Sequence, residues 1–434
     1  MQNDCFPDAT SEWPKTPVSA LAEQNPRYPV KKGVEYPFLE MAAVAENFGG
    51  ILKWDLRRLE GSGLTRFKAN DTLFAKITPC PENGKVAFVT GMRGETGLGS
   101  TEFIVLSPRD ETDPRFLFHL VCSHEVRGRA TARMEGSTGR QRVPEDVFDR
   151  RLLVPKPNEG EQAAIARVLD AVDAVIDRTR KAVTEAQELQ RAVTQQFFYS
   201  ALGATAYADH PAQKLPVGWK LTPTEKLLAE EPKNGVSPQA STQPPGTPTF
   251  SIAAVRDGKV DLSNASNLKY AKVSERIADK FRVRSGDVLV VRGNANPDLV
   301  GKAGQVGDFP AGCIYPDITK RIVFRHEGDD TVLPEYAVIA WNHPIIHNQV
   351  LRRAKTSNGT LKINNRDVKQ IVMPVPPPAE QRRIVGLVAA LESKTGALRR
   401  KARALEQLKK SLMHDLLTGN VRVDPALFNL EATA

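Results

Sequence analysis

The sequence predicts an α+β chain built as an internal duplication. Two globular, mostly-β regions alternate with two long antiparallel coiled-coil helices in a pseudo-two-fold repeat. Three observations predict it. Helix-like stretches at residues 161–202 and 380–421 both open on Glu-Gln-x-x-Ile. Each follows a proline-rich extended lead-in, Val154-Pro155-Lys156-Pro157 in one case and Met373-Pro374-Val375-Pro376-Pro377-Pro378 in the other. Between them, short matches recur in order at offsets of 216–220 residues, and a repeat at fixed period has to be recognised before any fold is assigned.

The expected organisation is a first globular region over 1–158, a first helix over 159–202, a second globular region over 203–378, a second helix over 379–422 and a tail over 423–434. The matches begin at the shared Asp-x-Leu of Asp71 and Asp287. They continue with Gly84-Lys85 against Gly301-Lys302 and Ile104-Val105 against Ile322-Val323. Pro114 before Phe116 matches Pro334 before Tyr336, and Gly139 before Val143 matches Gly359 before Ile363.

In both globular regions, short β-type runs are punctuated by Gly, Pro, Asn and Asp, as in Asp287-Val-Leu-Val-Val-Arg. Short helices are expected over 115–123 and 335–342. The four-proline segment 235–249 reads as a loop.

The long segments carry a heptad-like seam. In the first it runs Ile165, Leu169, Val172, Ile176, Thr179, Val183, Ala186, Leu189, Val193, Phe197. In the second it runs Ile384, Val388, Leu391, Thr395, Leu398, Ala402, Leu405, Leu408, Leu412, Leu416. Such helices need a partner for their apolar stripe, and the other copy is the nearest one. The second also carries nine Lys/Arg against four acids over 380–421, a basic face that suits either solvent, DNA or an acidic partner.

The chain has 434 residues, and 41% are hydrophobic, enough for each region to bury a core. Its net charge of +9 is uneven: residues 1–160 balance at zero, whereas residues 203–378 carry +6. An anionic partner fits that balance, with the second half as its stronger electrostatic side. The amino terminus is expected to lack a signal peptide, and no apolar run is long enough for a membrane span. Cys5, Cys80, Cys122 and Cys313 form no C-x-x-C pair, so free thiols are expected and no metal site is read from them.

Catalytic signatures are not found. Gly301-Lys302 lacks the spacing and hydroxyl of a nucleotide-hydrolysis loop. Asn296-Pro297-Asp298-Leu299 lacks the aromatic platform of an amino-methyltransferase loop. Asp317 and Lys320 lack the second acid of a nuclease cluster. His343 and His347 are separated by Pro344, which argues against a metal-binding helix. Two similar regions without a catalytic set indicate a binding or adaptor chain.

These residues resemble those of a known family. The lead-in, Glu-Gln-x-x-Ile and following helix are similar to the shared regions of type I restriction–modification specificity subunits, as is the ending Leu416-Leu417-Thr418-Gly419-Asn420-Val421-Arg422-Val423. Residues 70–80, 99–103 and 139–143 resemble that family's target-recognition domains, and so do 285–293 and 299–302. Asn70 stands where the family usually has Gly, and the first helix ends on Gln195-Gln196-Phe197-Phe198 instead of a basic, Leu-rich ending.

The resemblance implies a non-catalytic, cytoplasmic subunit. Each recognition domain reads one half of a bipartite, asymmetric double-stranded DNA target. The helix pair sets the spacing and docks two methyltransferase subunits, with restriction/translocase subunits joining them. The chain itself would hold no cofactor; S-adenosylmethionine, ATP and Mg would sit on the partners. Expected DNA-binding residues are Arg93, Arg140, Gln141 and Arg142 in the first region. In the second they are Arg292, Asn294, Lys302, Lys355, Thr356, Ser357, Asn358 and Lys362. Expected partner-binding positions on the helices are Glu161, Gln162, Ile165, Glu380, Gln381, Ile384, Leu416 and Leu417. The competing reading is a protein-binding scaffold of a DNA-modification or defence complex without its own sequence readout.

Overall fold

The central strand of each globular region is an apolar run that follows a turn closed by an aspartate. Asp71 accepts a hydrogen bond from the Lys68 N–H at 2.8 Å, and Asp287 does the same for the Arg284 N–H at 2.8 Å. The residue before each aspartate is left-handed, Asn70 at φ 72° and Gly286 at φ 86°. Asn tolerates this region better than other residues with a side chain, so it can replace Gly there.

In the computed structural model, residues 6, 13–61, 63–137, 139–148, 152–202, 216–256, 258–325, 327–328, 331–357 and 359–428 are described. The chain divides into two compact units, residues 1–181 with 399–434 and residues 182–398. Each unit therefore contains one globular region together with one half of each long helix.

In the first unit, β1 (Ala22–Gln24), β2 (Thr72–Ala75), β3 (Val86–Phe88) and β4 (Phe103–Pro108) form a sheet of order β1-β4-β2-β3. A second four-stranded sheet is built from residues 35–39, 55–58, 65–67 and 97–99. Helices α1 (Pro114–Cys122) and α2 (His124–Thr131) follow, and then the long helix α3 (Glu159–Leu202). Phe74, Ile104, Leu117 and Val121 pack with Ile165 and Leu169 of α3 in one buried cluster. Each such side chain contributes roughly 1.5–3 kcal/mol by leaving water.

The second unit repeats this plan. Strands β5 (Lys233–Asn234), β6 (Val288–Val291), β7 (Gly293–Asn294), β8 (Ala303–Val306) and β9 (Thr319–Ile322) are followed by α4 (Pro334–Trp341) and α5 (Pro344–Arg353). The hairpin β10 (Lys355–Ser357) and β11 (Thr360–Lys362), helix α6 (Asn365–Lys369) and the long helix α7 (Pro378–Thr418) complete it. The main sheet has the order β5-β9-β6-β8, extended by two short strands at residues 259–260 and 255–256. The order β5-β9-β6-β8 matches β1-β4-β2-β3 strand for strand.

The register corrects one sequence match. Leu73 and Phe74 face Val105 and Ile104, whereas Leu289 and Val290 face Arg321 and Lys320. The equivalent of Ile104-Val105 is thus Lys320-Arg321 at offset 216, not Ile322-Val323 at 218. A slip of two residues preserves which face each side chain occupies, so the apolar pattern could not reveal it. Segment 235–249 also differs from expectation. Ala240–Ser241 and Thr247–Phe250 flank Leu268–Ala271 in a three-stranded sheet, with Pro248 on an edge strand where its missing N–H is tolerated.

The helix halves run antiparallel inside the first unit: Glu161 pairs with Arg422, Asp173 with Lys409 and Arg180 with Glu406. Two positions leave the expected seam. Leu189 and Leu408 are each 50% exposed, while Lys409 is 8% exposed and bound to Asp173 at 2.5 Å. A helix of 3.6 residues per turn drifts against a 3.5 repeat, and the Asp173–Lys409 pair lies at the turn where the seam moves over. Thr179 and Thr395 remain buried in it, and each hydroxyl donates to the carbonyl four residues earlier.

Candidate nucleic-acid interface

Both units place a β-hairpin on the strand that leaves the central sheet. In the second unit, β11 pairs with β10 on one side and β7 on the other. Lys355 faces Lys362, and Lys362 faces Gly293. Arg292, Asn294, Lys355, Thr356 and Lys362 are thereby gathered onto one three-stranded platform. Gly359, at φ 71°, allows the tight turn at its tip. Ser357 belongs to β10, and Asn358 lies outside the described residues. Lys302 is partly buried beside the platform; its carbonyl accepts from the Val291 N–H at 2.8 Å, one residue before Arg292.

The first unit repeats the arrangement with other side chains. Glu135 and Arg142 exchange backbone hydrogen bonds of 2.9 and 2.8 Å, and Arg142 also bridges to Ile77. Val143 N–H donates to the Lys76 carbonyl as Ile363 N–H donates to that of Arg292. Lys76 N–H donates to the Glu102 carbonyl as Arg292 N–H donates to that of Ile318. Lys76 and Arg292 are therefore equivalent, and so are Arg142 and Lys362, and Glu102 and Ile318.

This equivalence exposes an electrostatic difference. Arg142 grips Glu102 with two nitrogens, and that contact holds the Glu102 carboxyl below its usual range. Lys76 pairs with Glu145 at 2.6 Å. The second unit has Ile318 and Asn365 at those two acidic places. Its platform thus keeps its positive charge, while that of the first is largely neutralised. Arg140 and Gln141 are exposed beside the pair, and Arg140 has no ion pair among the described residues. Arg93 is exposed in a different loop, between the left-handed Gly91 and Gly94.

The helix positions expected to meet partners are mostly engaged within their own units. Gln162 and Gln381 have no exposed surface, and Ile165, Ile384, Leu416 and Leu417 are buried in apolar clusters. Glu161 is 6% exposed and accepts from the Trp13 indole at 3.0 Å. Only Glu380 stays partly exposed, paired with Arg383 at 2.7 Å. These side chains hold each helix on its globular region because their polar atoms would otherwise be buried without partners.

Lys320, not among the expected residues, is 1% exposed and donates to the Asn234 and Asn365 side-chain oxygens. Burial, reinforced by Arg292, pulls its ammonium down to about 8. The signal was present as a lysine in a β run, but only the register identifies it as a core position.

One group of three possible metal ligands occurs among the described residues, His119, Asp170 and Asp173. Arg115 and His119 already bind Asp170, and Lys409 binds Asp173, so cationic and imidazole partners hold both carboxylates. Cys80, Cys122 and Cys313 are free thiols; Cys5 lies outside the described residues.

No family model matches the chain. It is similar to the type I restriction enzyme EcoKI specificity subunit of Escherichia coli strain K12, 26% identical over 333 residues, 72% of this chain and 68% of that protein. It is 29% identical over 214 residues to the EcoEI specificity subunit of Escherichia coli, 48% of this chain but only 34% of that protein. A chain from a structure of a type I R-M system matches in fold at a TM-score of 0.55, with 20% identity, covering 96% of this chain and 99% of that one. The duplicated plan, its paired long helices and these likenesses all point to the specificity subunits of type I restriction–modification systems.

Proposed function

We propose that each globular region reads one half of a bipartite, asymmetric DNA target through its hairpin platform. The observation that carries this reading is the repetition of that platform, with exposed polar and cationic side chains, on two long helices gripped in the same way. Phosphate contacts would set register while side chains reaching base edges supply sequence. Half-sites one helical turn apart need reading units about 34–36 Å apart. Helices of 44 and 41 residues would each extend about 60 Å, enough to act as the ruler.

The helices would also dock two methyltransferase subunits, with restriction/translocase subunits completing the assembly. Exposed Val175, Leu189, Leu387 and Leu408 on α3 and α7 suit that role. In this reading the chain is non-catalytic and cytoplasmic, and S-adenosylmethionine, ATP and Mg act on the partners. No described helix is long and apolar enough to cross a membrane.

The test is methylation mapping. The chain is expressed with its modification subunit in a host lacking methylation, and modified bases are sequenced. A split motif with a fixed gap supports the reading, and exchanging residues 203–378 should change one half only. A stable complex that methylates no motif would favour a scaffold without its own readout.

A further inference from the structure

We propose that Lys320 is a positioning residue for DNA readout by the second globular region, holding the Asn234 amide so that its N–H groups face the DNA. The inference rests on the reading above and adds a determinant to one half-site only.

The first observation is a substitution inside the duplication. Lys320 takes the place that Ile104 fills in the first unit, opposite Val290 as Ile104 is opposite Phe74. Ile104 is wholly buried, and Lys320 is 1% exposed. An isoleucine therefore satisfies this sheet position without charge. A buried ammonium costs free energy unless polar groups replace its water, so lysine is an unfavourable choice for packing alone.

The second observation is what surrounds the ammonium. It donates to the side-chain oxygens of Asn234, its cross-strand neighbour, and Asn365. Among the described residues no carboxylate forms an ion pair with it. Asp367, the acid that acts on it, is engaged in the capping box of α6, where it accepts from the Asn364 N–H at 2.8 Å.

An ammonium can only donate, so it fixes which end of each amide points inward. The Asn365 NH2 is then taken by the Pro232 carbonyl at 2.8 Å. Asn234 is exposed, and with its oxygen held by Lys320 its NH2 points away from the ammonium. Asn365 stands where Glu145 pairs with Lys76 in the first unit, which places this cluster beside Arg292 and the platform. Two amide donors fixed in direction suit the acceptors that guanine O6 and N7 or thymine O4 present in the major groove.

The experiment uses the complex with the modification subunit and DNA duplexes altered singly at each position of each half-site. In Lys320→Ile, discrimination at one position of the second half-site should relax by roughly tenfold or more, with the first half-site unchanged. Asn234→Ala should relax the same position. The double variant should be no worse than either single one, as expected of two residues acting through one contact. The thermal midpoint of Lys320→Ile should not fall.

Unchanged discrimination in either single variant overturns the proposal. Equal loss at both half-sites with a lowered midpoint also overturns it, since Lys320 would then be structural. If Lys320→Ile does not fold, the exposed Asn234→Ala variant decides alone. A wild-type complex that methylates no split motif defeats the underlying reading, and the proposal falls with it.

Discussion

Gln162 and Gln381 stand 219 residues apart and make the same three hydrogen bonds. The Gln162 oxygen accepts from the Asp113 N–H at 2.9 Å, and its NH2 donates to the Glu111 and Pro157 carbonyls. The Gln381 oxygen accepts from the Leu333 N–H at 2.8 Å, and its NH2 donates to the Thr331 and Pro376 carbonyls. Each glutamine fastens the first turn of a long helix to the segment that enters the preceding short helix. Gln162→Leu or Gln381→Leu leaves three backbone groups without partners and should lower stability by about 2–4 kcal/mol. Chemical denaturation beside the wild type measures this; a change near zero would show that the contacts are dispensable.

Lys409 occupies a seam position of α7 and binds Asp173 of α3, while Leu408 faces out. Asp173 is partly exposed, so water softens the loss of its partner. Lys409→Ala should cost about 1–3 kcal/mol, less than breaking a fully buried pair. The double variant Asp173→Asn, Lys409→Met should recover part of that. No recovery in thermal unfolding would mean that the pair is not the reason for the shifted seam.

His343 caps α5, accepting from the Ile345 N–H at 3.3 Å, and lies 4.9 Å from the Phe198 ring. Pro344 thus occupies the first helical turn, where its missing N–H has no consequence. Burial pushes the His343 imidazole down from 6.5 to about 4. The unfolded chain takes up this proton near pH 6.5 and the folded chain only near 4. Stability from this group is therefore complete above 6.5 and falls through that window on acidification, by up to about 3 kcal/mol. His343→Asn keeps a capping oxygen and removes the titration. Unfolding followed from pH 7 to 4 should show a shallower decline in the variant; parallel curves would reject the assignment.

Arg140 is exposed and without an ion pair among the described residues, whereas Arg142 is held by Glu102. If the first platform reads bases, Arg140→Ala in the complex should lose about 1–3 kcal/mol of site-specific binding and relax one position. Undiminished affinity for cognate DNA would remove Arg140 from the interface.

Lys355 and Lys362 face each other on a platform without the acids of its counterpart. As phosphate contacts, each change to Ala should weaken binding to all sequences alike. Each should also reduce the slope of log affinity against log salt by about 1. A loss confined to one sequence would instead make that lysine a base-reading residue.

The duplication, the two long helices and the family resemblance were legible in the sequence. These follow from local signals: proline before Glu-Gln-x-x-Ile, a polar turn before Asp-x-Leu, and heptad spacing. It also named most of the second platform, because Arg292–Asn294 and Lys355–Lys362 are two short segments that pair as neighbouring strands. Tertiary structure alone decided the rest. Strand pairing has a period of two, so only the register distinguishes Lys320 from Ile322 as the equivalent of Ile104. Gln162 and Gln381, which the family resemblance puts among partner-binding positions, satisfy backbone groups that only the fold brings against them. Where the seam leaves Leu408 for Lys409, Lys409 binds Asp173, 236 residues away, a pairing that only the fold reveals. Local pattern sets which elements form; partners distant in sequence set what each polar side chain inside them does.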